Sequence, residues 1–169
     1  MKMIERAKPE RQGGGQIGFT LLELIITIVL IAILATIALP SFQSIAINGN
    51  LKTAVRDMAA DLANLQQSAM ANSHENNLTL DTGANTYTVS KWIRNADGTG
   101  QFENQIKNLT AYANDIMFKP ETTATTFTFL PRGTVTVDGN SIVLTNSRGS
   151  TATITINAAG RTSVSLDLK

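Results

Sequence analysis

The sequence predicts an α+β protein in which a long N-terminal helix packs on a head made of antiparallel β-sheet. Three observations support this prediction. Residues 19–39 form an almost purely apolar run, residues 40–72 carry apolar side chains at helical spacing, and residues 73–169 alternate apolar and hydroxylated side chains between turn residues. Because helices repeat every 3.6 residues and strands every two, the period changes where the helix gives way to the head.

The size and charge of the chain limit what it can do. Its 169 residues fit one core plus an appendage. Lys and Arg number 14 against 13 Asp and Glu, so bulk charge gives no reason to expect nucleic acid or anionic lipid as a partner. The chain has no cysteine, which excludes disulfides, thiol catalysis and Cys-based zinc sites.

The apolar run is long enough to cross a bilayer once. As a helix, residues 19–39 would span about 31 Å, close to the thickness of the hydrocarbon core. The first basic residue after the run is Lys52, whereas four precede it: Lys2, Arg6, Lys8 and Arg11. By the positive-inside rule the N-terminus stays in the cytoplasm and the head is exported.

The small residues of the N-terminal region precede the apolar run: Gly13, Gly14, Gly15 and Gly18. A secretory signal peptide has its small-residue cleavage site after the apolar stretch instead. A protease cutting among these glycines would therefore remove the charged leader and leave the hydrophobic helix on the mature protein.

The hexapeptide Gly18-Phe19-Thr20-Leu21-Leu22-Glu23, with the apolar run and Pro40 after it, resembles the class III leader of type IV pilins and type II secretion pseudopilins. The resemblance implies that prepilin peptidase cuts after Gly18 and methylates the new amino group of Phe19. It further implies a single-pass protein of the bacterial inner membrane with a periplasmic or extracellular head. Such a subunit joins other subunits through its N-terminal helix in a type IV pilus or a type II secretion pseudopilus.

Glu23 is the only ionisable residue of the apolar run. A carboxylate in a membrane segment is costly without a partner, and the run contains no Lys, Arg or His. The resemblance implies that Glu23 meets the N-terminal amine of a neighbouring subunit and so acts in assembly. The alternative is that Glu23 lies at the headgroup border and reaches water.

The segment 40–72 is predicted to be an amphipathic helix whose apolar face packs on the head, and a short coiled coil is the alternative. The apolar positions are spaced by three and four: Leu51, Val55, Met58, Leu62, Leu65 and Ala69. Pro40 and Gly49 are predicted to bend or loosen the helix. Pro40 indicates either a helix end just outside the membrane or, by resemblance to pilins, a hinge.

The head, residues 73–169, is predicted to contain strands at 77–80, 86–93, 125–130, 134–137, 141–145, 151–157 and 162–168. Residue pairs ending in glycine separate most of them and supply turns: 97–98, 132–133, 138–139, 148–149 and 159–160. Residues 99–121 show no alternation and are predicted to be irregular, with 105–114 as either a short helix or a long loop.

The order of helix, sheet and a final hairpin at 154–161 resembles the GspH/FimT family of minor pilins and pseudopilins. Some members of the FimT branch bind DNA through two arginines near that hairpin. This chain has Arg161 but Ser163 where the second arginine would stand. DNA binding is the alternative function, with Lys91, Arg94 and Arg161 as candidate contacts. Trp92 could stack a base there, but we favour the interpretation that it packs in the core.

No residue pattern predicts catalysis, a metal site or a cofactor. His74 is the only histidine, so we expect a helix-end role for it instead of a transition-metal site. Asp81, Asp97 and Asp138 have turn contexts without EF-hand spacing; turn chemistry is favoured over the calcium site of some major pseudopilins. Without a Gly-x-Ser-x-Gly elbow or a phosphate loop, we expect a structural protein and not an enzyme.

Overall fold

The computed structural model describes residues 18–169, and the chain divides into two compact units between Leu39 and Pro40. Helix α1 spans Leu21–Asn72 and includes Pro40. The strands that follow are β1 (Asn76–Asp81), β2 (Thr86–Arg94), β3 (Gly100–Asn108), β4 (Met117–Phe118), β5 (Thr126–Phe129), β6 (Val135–Val137), β7 (Ser141–Thr145), β8 (Thr151–Ile156) and β9 (Thr162–Asp167).

The strands form two antiparallel sheets where the sequence predicted one. The first sheet has the order β3-β2-β1-β5-β6, and the second has the order β4-β7-β8-β9. The predicted fold class, a long N-terminal helix packed on antiparallel sheet, is confirmed. The division arises because β5 returns to pair with β1, whereas β7 pairs with β4 and β8.

The apolar stripe of α1 forms the centre of the head. Each of its predicted members is at most 1% exposed: Leu51, Val55, Met58, Leu62, Leu65 and Ala69. They share one buried cluster with Leu78 and Phe127 of the first sheet and with Ile142 and Ile154 of the second. The stripe is therefore core, and the coiled-coil alternative is wrong because the chain covers this face itself. Burying each large apolar side chain contributes roughly 1.5–3 kcal/mol.

The prediction that residues 99–121 are irregular is wrong. Strand β3 pairs with β2 along its whole length, from Arg94 opposite Gly100 to Thr86 opposite Asn108. A short 3₁₀ turn, Leu109–Ala111, and strand β4 follow. As an edge strand β3 leaves most of its side chains exposed, so its sequence does not alternate and only backbone pairing with β2 makes it a strand.

A polar cluster ties the first sheet to α1. The Asp61 carboxylate accepts a hydrogen bond from the Tyr87 hydroxyl at 2.9 Å and an ion-pair contact from Lys107 Nζ at 2.7 Å. Tyr87 itself is fully buried. Burial, reinforced by the nearby Asp61 charge, raises the pKa of Tyr87 above its ordinary value. The cluster thus connects β2 and the edge strand β3 to one point on the helix.

We expect the Tyr87→Phe variant to be less stable than the wild type near pH 7, and we expect this difference to disappear in alkaline solution. Near pH 7 it lacks the hydrogen bond to Asp61 and should be about 1 kcal/mol less stable than the wild type. The raised pKa means that the folded state resists ionising Tyr87, while the unfolded chain ionises it near pH 10. The contribution of Tyr87 to the free energy of unfolding of the wild type is therefore present below about pH 10 and is lost as the pH rises above it. Denaturant unfolding of the full chain in detergent from pH 7 to 11 measures this, and a constant difference would contradict the expectation.

Candidate processing and assembly site

Helix α1 begins with a side-chain cap just after the predicted cleavage position. The Glu23 backbone N–H donates to Thr20 Oγ1 at 3.2 Å, and the Leu24 N–H donates to the Thr20 carbonyl at 3.1 Å. Thr20 to Glu23 is the Thr-x-x-Glu pattern typical of a capping box. Glu23 also lies in the first turn, where the positive end of the helix dipole favours an anion. Our sequence reasoning missed this cap, although the four-residue pattern was visible.

Gly18 lies in open space before the helix. A Cβ added at this position would meet nothing within 4 Å among the described residues beyond its chain neighbours, so the described fold does not require glycine here. A requirement for glycine at residue 18 would have to come from an enzyme that binds this segment. The remainder of the predicted leader, residues 1–17, lies outside the described residues.

The apolar part of α1 is exposed on all sides within its own unit. Its large side chains are about half exposed or more, from Ile25 at 49% to Leu21 at 75%. It belongs to the one helix, among the described residues, that is long and apolar enough to cross a membrane. The hydroxyls of Thr27 and Thr36 donate hydrogen bonds to carbonyls of the preceding helical turn, so these hydroxyls have a partner without water. Such a surface needs lipid or other apolar helices around it.

The interpretation of Pro40 as a helix end is wrong, because α1 continues to Asn72. Proline removes one backbone hydrogen bond without preventing the next turns from forming. The weak helix formers around Gly49 are also helical. Hinge roles for Pro40 and Gly49 stay predictions.

The side chain of Asn48 explains why α1 persists through its weakest segment. Asn48 Oδ1 accepts hydrogen bonds from Asn146 Nδ2 at 3.0 Å and Ser150 Oγ at 2.9 Å. Asn48 Nδ2 donates to the Lys169 carbonyl at 3.0 Å. Contacts to residues about a hundred positions away therefore stabilise a helical turn that local propensity disfavours.

The candidate DNA contacts lie on different elements. Lys91 of β2 stands opposite Glu103 of β3, and both line a polar cavity of about 630 Å³ beside Asp61. Arg94 ends β2, whereas Arg161 lies between β8 and β9 of the second sheet. The carboxylates beside Lys91 oppose a phosphate there.

Trp92 does not pack in the core, contrary to the favoured interpretation. It is half-buried and stacks on His74, with ring centroids 4.3 Å apart and planes at 12°. Phe102 meets it edge-on at 5.2 Å. The reason is that side chains alternate between the two faces of a strand. Tyr87 is the buried residue of β2, and position 92, five residues later, is on the opposite face. His74 Nδ1 lies 3.3 Å from the Asn72 carbonyl, which fits the predicted helix-end role.

Two of the three aspartates assigned to turns cap a turn, and the third bonds to a distant strand. Asp81 accepts from the Ala84 N–H, and Asp97 accepts from the Thr99 N–H, both at 2.9 Å. Asp138 accepts from the side chain and backbone of Thr125, which lower the pKa of Asp138 to about 2. Turn chemistry is thus confirmed for Asp81 and Asp97, whereas Asp138 joins the end of β6 to the start of β5.

Comparison with known proteins identifies two similarities. Residues 14–39 match the prokaryotic N-terminal methylation motif. The structure is similar to the minor pseudopilin EpsH from the type 2 secretion system of Vibrio cholerae, with a TM-score of 0.52 and 14% sequence identity. The match covers 69% of this chain and 97% of EpsH. At this identity it shows a shared fold. No curated protein sequence matches the chain.

We expect Asn48→Ala to destabilise the head by about 1–3 kcal/mol, because Asn146 and Ser150 lose a buried hydrogen-bond partner. Asn50→Ala is the matched control, since Asn50 is an exposed asparagine of the same helical turn. Thermal unfolding of the two full-length variants in detergent measures the difference. Equal midpoints would show that the Asn48 contacts do not stabilise the head.

Proposed function

We propose that this chain is a minor pilin or pseudopilin subunit of the type IV pilin and pseudopilin superfamily. Its methylation motif and its fold support the proposal. The observation that carries the proposal is the order of features along α1. A methylation motif at 14–39 leads into an exposed apolar helix, and the same helix supplies the buried stripe of the head. Cleavage within the motif leaves the mature head attached to an apolar assembly helix.

Maturation in this proposal creates the charge that Glu23 lacks. Prepilin peptidase cuts between Gly18 and Phe19, removes leader residues 1–18 and methylates the new amine of Phe19. A Cβ added at Gly18 would meet nothing else of the described chain within 4 Å, so the fold itself does not dictate which residue stands before the bond that is cut. The amine of one subunit then pairs with Glu23 of its neighbour, where low local polarity makes an unpaired carboxylate costly.

Before assembly the subunit resides in the bacterial inner membrane, with its N-terminus in the cytoplasm and its head on the periplasmic side. Movement into a filament exchanges lipid contacts of residues 19–39 for contacts with other apolar helices, so little apolar surface meets water. The end state is a type IV pilus or a type II secretion pseudopilus. Its partners are prepilin peptidase and other pilin-fold subunits.

The role proposed for the head is structural. Its polar side chains cap turns, as Asp81 illustrates, and anchor the second sheet to α1, as Asn48 illustrates. DNA binding stays a prediction, and the separation of Lys91 from Arg161 between two sheets gives it no added support.

We expect Gly18→Leu to block cleavage while the head still folds, because only the peptidase requires a small residue at this position. Gly15→Leu is the matched control, a glycine of the same leader placed away from the bond that is cut. Mass spectrometry of both proteins from the native host measures the N-terminus. A Gly18→Leu protein that begins at methylated Phe19 would falsify the proposed maturation.

We expect the Glu23→Gln variant to be cleaved normally but to be incorporated poorly into the filament. Because the Thr20 cap uses the backbone N–H of Glu23, glutamine leaves the cap intact and removes only the negative charge. The fraction of the protein in sheared or purified filaments, compared with that of the wild type, gives the answer. Normal incorporation would mean that the Glu23 charge is dispensable for assembly.

A further inference from the structure

Strand β3 forms a long open edge of the first sheet. It pairs with β2 on one side and, within residues 18–169, with no strand on the other. Its nine residues are in one-to-one register with β2 and include no proline. The other open edges are shorter, with two residues in β4, three in β6 and six in β9. Bulges, prolines and lysines usually protect such an edge, but β3 has no bulge and its only lysine, Lys107, is ion-paired with Asp61.

The hydrogen bonds at the two ends of the β2–β3 ladder show which backbone groups of β3 face outward. At one end the Asn95 N–H donates to the Thr99 carbonyl, and at the other the Leu109 N–H donates to the Asn85 carbonyl. Hydrogen-bonded positions alternate along an antiparallel pair, so the odd-numbered residues of β3 bond to β2. The even-numbered residues therefore turn their N–H and C=O groups to the open edge: Phe102, Asn104 and Ile106.

The side chains of these three residues form a ridge on the outer face of the sheet. Phe102 stands opposite Trp92, which lies on the face away from the core, and Asn104 and Ile106 share this face. Phe102 is 47% exposed and Ile106 is 72% exposed. The ridge thus offers two apolar positions, four residues and about 13 Å apart along the strand.

The opposite face of the edge borders the polar cavity between α1 and the β2–β3 pair. Glu103 and Gln105 of β3 line this cavity together with polar side chains of α1. Its charges are balanced, since Lys91 stands opposite Glu103 and Lys107 is ion-paired with Asp61. A strand added beside β3 would therefore place uncharged polar side chains on this face.

We propose that β3 binds an extended segment of another protein, which joins the first sheet as an antiparallel strand. Alternating N–H donors and C=O acceptors along an edge match the backbone of a second extended chain. Every ladder already present in this sheet is antiparallel. The segment carries apolar side chains opposite Phe102 and Ile106, and uncharged polar side chains opposite Glu103 and Gln105.

A second copy of this chain does not fit this edge. Two identical β3 edges pair antiparallel about a two-fold axis perpendicular to the sheet, and that axis reverses the part of α1 packed on the sheet. Subunits anchored in one membrane hold their heads in the same direction instead. This exclusion of a second copy rests on the proposed function, whereas the binding of an extended segment goes beyond it.

Binding of a synthetic peptide to the full-length protein in detergent tests the proposal. The probe is a fluorescent, end-capped peptide of four valine-threonine repeats with a terminal lysine for solubility, and fluorescence anisotropy measures its affinity. In the proposed pairing the valines stand opposite Phe102 and Ile106 and donate their N–H groups to β3. We expect N-methylation of the four valines to weaken binding by about tenfold or more. N-methylation of the four threonines adds as many methyl groups and should leave binding unchanged.

The Asn104→Pro variant blocks the edge itself. The Asn104 N–H faces outward, so proline removes an edge donor without breaking the ladder to β2. We expect this variant to bind the unmodified peptide about tenfold more weakly than the wild type. The matched control Asn104→Thr keeps the N–H and should bind as the wild type does.

A second variant keeps the test open if Asn104→Pro does not fold. Phe102→Thr combined with Ile106→Thr leaves the backbone of β3 unchanged and removes the apolar ridge, so we expect it to weaken peptide binding as well. Thermal midpoints show whether the head of each variant is folded.

Several results would overturn strand addition. These are no binding of the unmodified peptide, equal binding of the two methylated peptides, a loss confined to the threonine-methylated peptide, and unchanged binding by folded variants of the edge. A wild-type dimer that Asn104→Pro converts to a monomer, without peptide binding, would make a second copy the occupant and would also overturn it. The N-terminus and the filament fraction are measured separately, so failure here leaves the proposed function standing.

Discussion

The whole head depends on the burial of one face of α1 between two sheets. Leu51, Met58, Leu62 and Leu65 are essentially inaccessible, and both sheets contribute side chains to the cluster around them. Neither sheet could form a stable unit alone, since each needs an apolar partner for its inner face. The helix stripe is that partner for both. Residues before Pro40 have no comparable cover in their own unit, which makes them available to lipid or to other helices.

Polar anchors decide how the sheets align on the helix. Asn48, Asp61 and Gln66 each bond to a distant element: the chain end, strands β2 and β3, and the turns before β6 and β9. Apolar packing alone is weakly directional, whereas these hydrogen bonds specify register. At Gly160 the backbone has a positive φ of 76° and passes so close to Gln66 that a Cβ would overlap the amide. A glycine in a turn is thus also a packing requirement.

The role proposed for the chain rests on two apolar surfaces that lie one after the other along a single helix. A surface exposed all round suits a membrane or a bundle, and a one-sided stripe suits a globular core. The Thr20 side chain caps the helix where the first surface begins, and the Glu23 carboxylate lies in the first turn, where the helix dipole favours an anion. Local capping and intersubunit pairing are compatible because the cap uses the backbone N–H of Glu23, not its carboxylate.

By itself the sequence determined the fold class, the buried stripe, the apolar segment and the turn contacts of Asp81 and Asp97, because each depends on periodicity or on contacts within a few residues. Only the tertiary structure decided the rest. Strand β3 exists because β2 pairs with it, α1 persists at Asn48 because distant side chains bond to it, and Trp92 is outside the core because of which face of β2 meets the helix. Pairing partners and face assignments join residues far apart in the chain, and no local pattern records them.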